Sequence, residues 1–142
     1  MDILYFHLLF LLFSLIIMAI ADKEAFSWFT GKRELLDARR INRLHSLMWI
    51  GLLGMIATGL YMAWPAREFL LREPLFLTKL AFVVALFING FIIGKLNNIP
   101  SHKAFASLSR EERLPLFISG GVSLFSWMGA IIVAFVLFGW PF

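Results

Sequence analysis

Four long runs of apolar side chains, Ile3 to Ala21, Leu44 to Trp64, Leu75 to Gly94 and Leu116 to Trp140, alternate with shorter stretches that carry almost all the charge. Each run is near the roughly 20 residues that a helix needs to cross about 30 Å of hydrocarbon. None has the two-residue alternation of a barrel strand, and a backbone in lipid must satisfy its own hydrogen bonds, so the runs predict helices. The expected fold is all-α, an integral membrane four-helix bundle. Its predicted spans are 3–21, 44–64, 75–94 and 116–140, and residues 1–142 form a single polytopic domain.

The connections refine this layout. The first, Asp22 to Arg43, holds six basic residues (Lys23, Lys32, Arg33, Arg39, Arg40, Arg43) among four acidic ones. It predicts a turn at Thr30-Gly31 and an interfacial helix from Glu34 to Arg43. The second is short and bracketed by Pro65 and Pro74, which stop one helix and start the next. The third, Lys95 to Pro115, carries Asn97-Asn98, Pro100, an amphipathic piece around Phe105 to Leu108, and Ser109-Arg-Glu-Glu, a helix cap with acids in the first turn. Lys and Arg concentrate in the first and third connections, whereas the second and its flank hold only Arg67, Arg72 and Lys79. By the positive-inside rule both termini face outside and both longer loops the cytoplasm. The expected location is a cell membrane, in a bacterium the inner one. Ala19-Ile20-Ala21 has the form of a signal-peptidase site, but no positive charge precedes the run and the run exceeds the usual length, so the first helix is expected to be retained.

Composition removes several function classes. Hydrophobic residues make up 61% of the chain and charged ones 15%, too apolar a balance for a water-soluble fold. With no Cys there is no disulfide, thiolate-bound zinc or iron–sulfur cluster. No Asp or Glu lies inside a predicted span, which removes the usual carboxylate of proton- or sodium-coupled carriers. GxSxG, P-loop, HExxH and GxGxxG patterns are absent, and no catalytic residue is assigned. The net charge of +4 reads as topology and attraction to anionic lipid; the basic residues are interleaved with acids and form no stripe for nucleic acid.

Small residues predict where helices approach. The second span offers Gly51, Gly54, Thr58 and Gly59, the third Gly90 and Gly94, and the fourth Gly120, Gly121, Ser123, Ser126, Gly129 and Ala130, whereas the first is a wall of Leu, Ile and Phe. The expectation is a tight core of the second, third and fourth helices. The first packs more loosely or serves a homo-oligomer or a partner membrane subunit. Trp28, Trp49, Trp64 and Trp140 fall near predicted helix ends, as interfacial belts do. Trp127 falls mid-helix, as core filler or the wall of a site.

Two polar strata stand out. His7 and Lys79 each lie four residues into a helix starting from the same side, at about 6 Å depth, with Tyr5, Tyr61 and Arg67 nearby. A neutral imidazole there suits a haem iron, with Lys79 and Arg67 meeting propionates; the plainer reading is a snorkelling lysine and an interfacial histidine. The other stratum gathers His45, Asn89, Ser123 and Ser126, with Asn42, Arg43, Ser46, Ser119 and His102. Asn89 is expected to hydrogen-bond Ser123 or Ser126 across helices. His45 and His102 are two metal-type ligands lacking a third. His7 and His45 lie near opposite faces, so one haem cannot join them.

His7 early in the first helix, Arg39-Arg40-x-x-Arg43-Leu44 before the second, Thr58-Gly59-Leu60, and Thr78-Lys79-Leu80 opening the third together resemble small bacterial membrane proteins of the HemJ-type protoporphyrinogen oxidase and CopD-like group. The resemblance covers the first three helices. It lacks the family's Trp and Gly after the first-helix histidine, and has Ile88-Asn89-Gly90 where the family carries further aromatic and histidine residues. It implies haem b at His7 and Lys79, and with it a redox or electron-transfer accessory subunit. The residues alone also admit a membrane scaffold that binds partner helices, or a small-solute conduit past Asn89.

Overall fold

In the computed structural model, which describes residues 2–138, four helices are long and apolar enough to cross a membrane. They are α1 (Ile3–Phe29), α2 (Ala38–Ala63), α4 (Pro74–Leu96) and α6 (Arg110–Phe138). Short helices α3 (Arg67–Leu70) and α5 (Ile99–His102) and two 3-10 turns, Trp64–Ala66 and Phe105–Ser107, complete the described chain, which contains no strand. The protein is an all-α multi-pass membrane protein. Its outward surface is apolar, with Leu9, Leu12, Phe91, Phe125 and Val136 all exposed, as lipid solvation demands.

The helices outrun the apolar runs that predict them. α1 continues past Ala21 to Phe29, and its one buried charge finds partners: Glu24 pairs with Arg33 at 3.2 Å and Arg40 at 3.1 Å, while Asp22 and Lys23 are exposed. Trp28, expected in an interfacial belt, is instead 2% exposed and donates its indole N–H to the Lys103 carbonyl at 3.0 Å. The turn at Thr30-Gly31 forms, with Gly31 at φ 77°, a conformation that glycine takes without steric cost. No separate interfacial helix follows. Residues 34–36 are non-helical, Leu36 N–H bonds the Pro100 carbonyl at 2.8 Å, and Asp37 caps α2 by accepting from Arg39 N–H at 3.0 Å. α6 likewise begins at Arg110, six residues before its apolar run. Ser109 and Glu112 there form a reciprocal capping box, Glu112 N–H to Ser109 Oγ and Ser109 N–H to Glu112 Oε1, both 3.3 Å. Residues 139 and 140 of the fourth predicted span, Trp140 included, lie outside the described residues.

Packing corrects the expectation for the first helix. α1 lies closely against α2 and α4 closely against α6; α2 and α4 touch lightly, and α1 and α6 hardly at all. The bundle is two tight pairs, and α1 belongs to one of them. One small partner per contact suffices: the glycines of α2 receive the large side chains of α1. A Cβ at Gly51 would run into Ser14 and one at Gly54 into the Phe10 ring, while at Gly59 it would touch His7 Cε1 at 3.4 Å. In the other pair, Phe82 stands 2.5 Å from a Cβ at Gly129. Between pairs, Trp49 fills the space at Gly90 and His45 that at Gly94.

Two apolar clusters result. Leu52, Leu86 and Trp127 form a layer at mid-height, and Trp28, Leu36 and Leu108 form one at the end holding the two longer connections, here the basic end. Phe29 and Phe105 pack tilted and edge-on against Trp28, Phe117 packs on both of those rings, and Arg113 caps Phe105 at 4.6 Å.

Candidate functional site

Between these two layers the helix pairs enclose a cavity of about 290 Å³ lined by all four long helices. Leu52, Leu86 and Trp127 roof it, Trp28 and Leu36 floor it, and Trp49 stands in its wall. Trp127 is therefore both core filler and a wall of the site. The lining residues on α2 and α4 are buried or half-buried, while the exposed ones, Asp22, Gly120 and Leu124, all stand on α1 and α6. The cavity thus opens sideways at the seam where α1 and α6 scarcely meet.

Few polar groups reach this space. Asn89, 3% exposed, donates from Nδ2 to the Ser119 carbonyl at 2.9 Å and accepts at Oδ1 from the Ser119 hydroxyl at 3.0 Å. The interhelical bond expected of Asn89 exists, but with Ser119, one turn nearer the basic end than Ser123 and two nearer than Ser126. His45 lines the cavity and bonds the Gly90 carbonyl at 2.9 Å through Nε2; a carbonyl only accepts, so Nε2 carries the proton. His45, Asn89 and Ser123 of the predicted inner cluster share this cavity, and Ser126 is buried outside its lining.

In the sequence Asn97 stands out only as one residue of the third connection. It caps the C-terminus of α4, lines the cavity, and has a buried Nδ2 with no hydrogen-bond partner among the described residues. Two adjacent asparagines after an apolar run were its signal. Glu24, counted as a loop charge, also lines the cavity, and its two arginines balance it.

At the other end, His7 Nδ1 is 2.8 Å from Thr58 Oγ1, whose own proton goes to the Gly54 carbonyl at 2.7 Å. His7 is therefore the donor, through Nδ1–H. Lys79 lies within electrostatic range of His7, whereas Arg67 lies over its neighbour Trp64 at 4.7 Å and bonds that residue's carbonyl at 3.0 Å. These contacts tie His7 to α2 and Arg67 to its own turn. The cavity lining includes none of His7, Lys79 and Arg67. His102 bonds the Asn98 carbonyl at 2.7 Å within its own turn, and no group of three His, Asp or Glu among the described residues is arranged to hold a metal.

No family model, curated protein or solved structure matches the chain. The functional argument therefore rests on the site. Its chemistry is aromatic and aliphatic walls, amide and hydroxyl hydrogen bonding, and a side opening at membrane depth.

Proposed function

We propose that this membrane protein binds a small, largely apolar molecule drawn from the bilayer and holds it between its two helix pairs. The observation that carries the reading is the cavity roofed by Leu52, Leu86 and Trp127 and open between α1 and α6. Small-molecule sites are typically apolar clefts of about 300–1,000 Å³ with a few placed polar groups, and this one stands at the lower bound of that range. The role this implies is an accessory subunit or carrier for a lipid-soluble cofactor. A haem at His7 is the competing reading that the family resemblance supplies. The cavity in the opposite half favours the first.

Gly120 offers a clean test. It lines the cavity, and a Cβ there meets nothing within 4 Å, so Gly120→Phe fills the space without disturbing a helix contact. Native mass spectrometry of protein extracted from its own membrane is expected to find one tightly bound organic molecule, absent from Gly120→Phe at unchanged helical content. The same bound species in both proteins would overturn the reading. A Soret absorbance band lost on His7→Ala would move the site to the other end of the bundle.

A further inference from the structure

Resting on the reading of the cavity as a ligand site, we propose that its occupant carries an uncharged carbonyl head on a single apolar tail, with Asn97 Nδ2 donating to that carbonyl and the tail leaving between α1 and α6. Three observations lead there. First, the Asn97 donor is buried, faces no acceptor among the described residues and belongs to the cavity lining. Leaving such a donor unsatisfied is costly, so the molecule that completes the site brings an acceptor. An N–H donor repels an ammonium, which removes cationic heads.

Second, the lining also contains Asp22 and Glu24. The charge of Glu24 is already met by Arg33 and Arg40 and Asp22 is exposed at the cavity mouth, so neither carboxylate needs a cation inside the cavity, and both oppose an anionic head. An uncharged acceptor remains. Third, Asn97 stands at the basic end, while the exposed lining residues Gly120 and Leu124 lie farther along α6 toward mid-membrane. A head at Asn97 and a tail passing Leu124 has the orientation of an amphiphile in the adjoining leaflet. The cavity volume of about 290 Å³ admits a head and the start of one chain, not a two-chain lipid.

Two sources share this chemistry: a ring carbonyl of the quinone class and the ester carbonyl of a monoacylglycerol. The full-length purified protein would be titrated with decylbenzoquinone, monooleoylglycerol, oleate and dodecylamine, with binding read by native mass spectrometry. At least one carbonyl probe is expected to bind at least tenfold more tightly than oleate or dodecylamine, and the tighter of the two identifies the source. Asn97→Leu and Asn97→Asp, which both remove the donor, are expected to weaken that probe about tenfold, with thermal unfolding confirming that each variant folds. Unchanged affinity in both Asn97 variants, or preference for the amine or the acid, would overturn the head assignment while leaving the cavity reading intact. Undiminished binding in Gly120→Phe would overturn the cavity reading itself.

Discussion

The seam between α1 and α2 and the seam between α1 and α6 share one helix and one apolar medium, yet the first is filled and the second open. At Gly51, Gly54 and Gly59 large or polar side chains of α1 occupy the space a Cβ would take, whereas at Gly120 the space is empty. Lipid tails are as apolar as Leu, so burial gives helices no drive to associate, and contact depends on shape. A glycine facing Phe10 draws two backbones together; a glycine facing nothing leaves room for something else. Glycine content alone therefore does not distinguish a packing face from a site. The neighbour across the seam does.

The sharpest way to break this contrast is to put the same side chain on both kinds of glycine. Gly54→Leu drives a branched side chain into the Phe10 ring, and overpacking of this kind costs about 1–3 kcal/mol; the expected loss is near the upper end because three atoms of the ring stand in the way. Gly121→Leu is the control. It too has nothing within 4 Å, but it lies outside the cavity lining, so neither stability nor ligand binding should change. Thermal unfolding in detergent measures both. Equal melting temperatures for the two variants would mean that the α1–α2 seam is not held by interlocking.

Next in size is Glu24→Ala. The carboxylate joins the end of α1 to the turn through Arg33 and to α2 through Arg40, with only 10% of its side chain exposed, while both arginines are 52% exposed. Hydrogen bonds to charged groups contribute about 1.5–3 kcal/mol, but arginines this open recover hydration and are screened. A loss of about 1–2 kcal/mol is expected, shrinking as salt rises. A salt-independent loss would assign the effect to packing rather than charge.

The α4–α6 seam is held partly by hydrogen bonds, and Asn89→Leu removes both of its bonds to Ser119. Side-chain bonds between membrane helices are worth about 0.6–2 kcal/mol, so a loss of about 1 kcal/mol is expected. A double-mutant cycle of Asn89→Leu with Ser119→Ala isolates the bond from the Ser119 hydroxyl to Asn89 Oδ1, and a coupling near zero would show that this bond adds nothing to the seam beyond the bond to the Ser119 carbonyl and the packing.

Much of this arrangement was legible in the sequence, and the failures share a cause. The four spans, the turn at Thr30-Gly31 and the cap at Ser109 follow from local rules, since each depends on residues within a turn of one another. The end of α1 and the start of α2 lie beyond the apolar runs because charge does not always mark water: Glu24 stays buried by pairing with Arg33 and Arg40 from beyond the turn. The pairing of α1 is not legible in its own residues because the glycines that admit it, Gly51, Gly54 and Gly59, all stand on α2. Asn89 was legible as an interhelical donor, but its partner depends on the register of α6, which no local pattern encodes. The cavity was not legible at all. A void arises where two pairs fail to meet, and its sign in the sequence, Gly120, looks the same as Gly129.

The smallest expected effect tests whether the filled seam is shaped or bonded. Ser14 is completely buried against Gly51, and its Oγ has no hydrogen-bond partner among the described residues. If shape alone holds α1 to α2 there, Ser14→Ala removes a buried hydroxyl that pays back nothing, a gain of up to about 1 kcal/mol. Against this stands the small void left at the contact with Gly51. The expected net effect is neutral to about 0.5 kcal/mol more stable, read as the difference in unfolding free energy from wild type. A loss exceeding about 1 kcal/mol would mean that the hydroxyl bonds across or along the seam in the membrane, and that α1 and α2 are joined by polar contact as α4 and α6 are through Asn89.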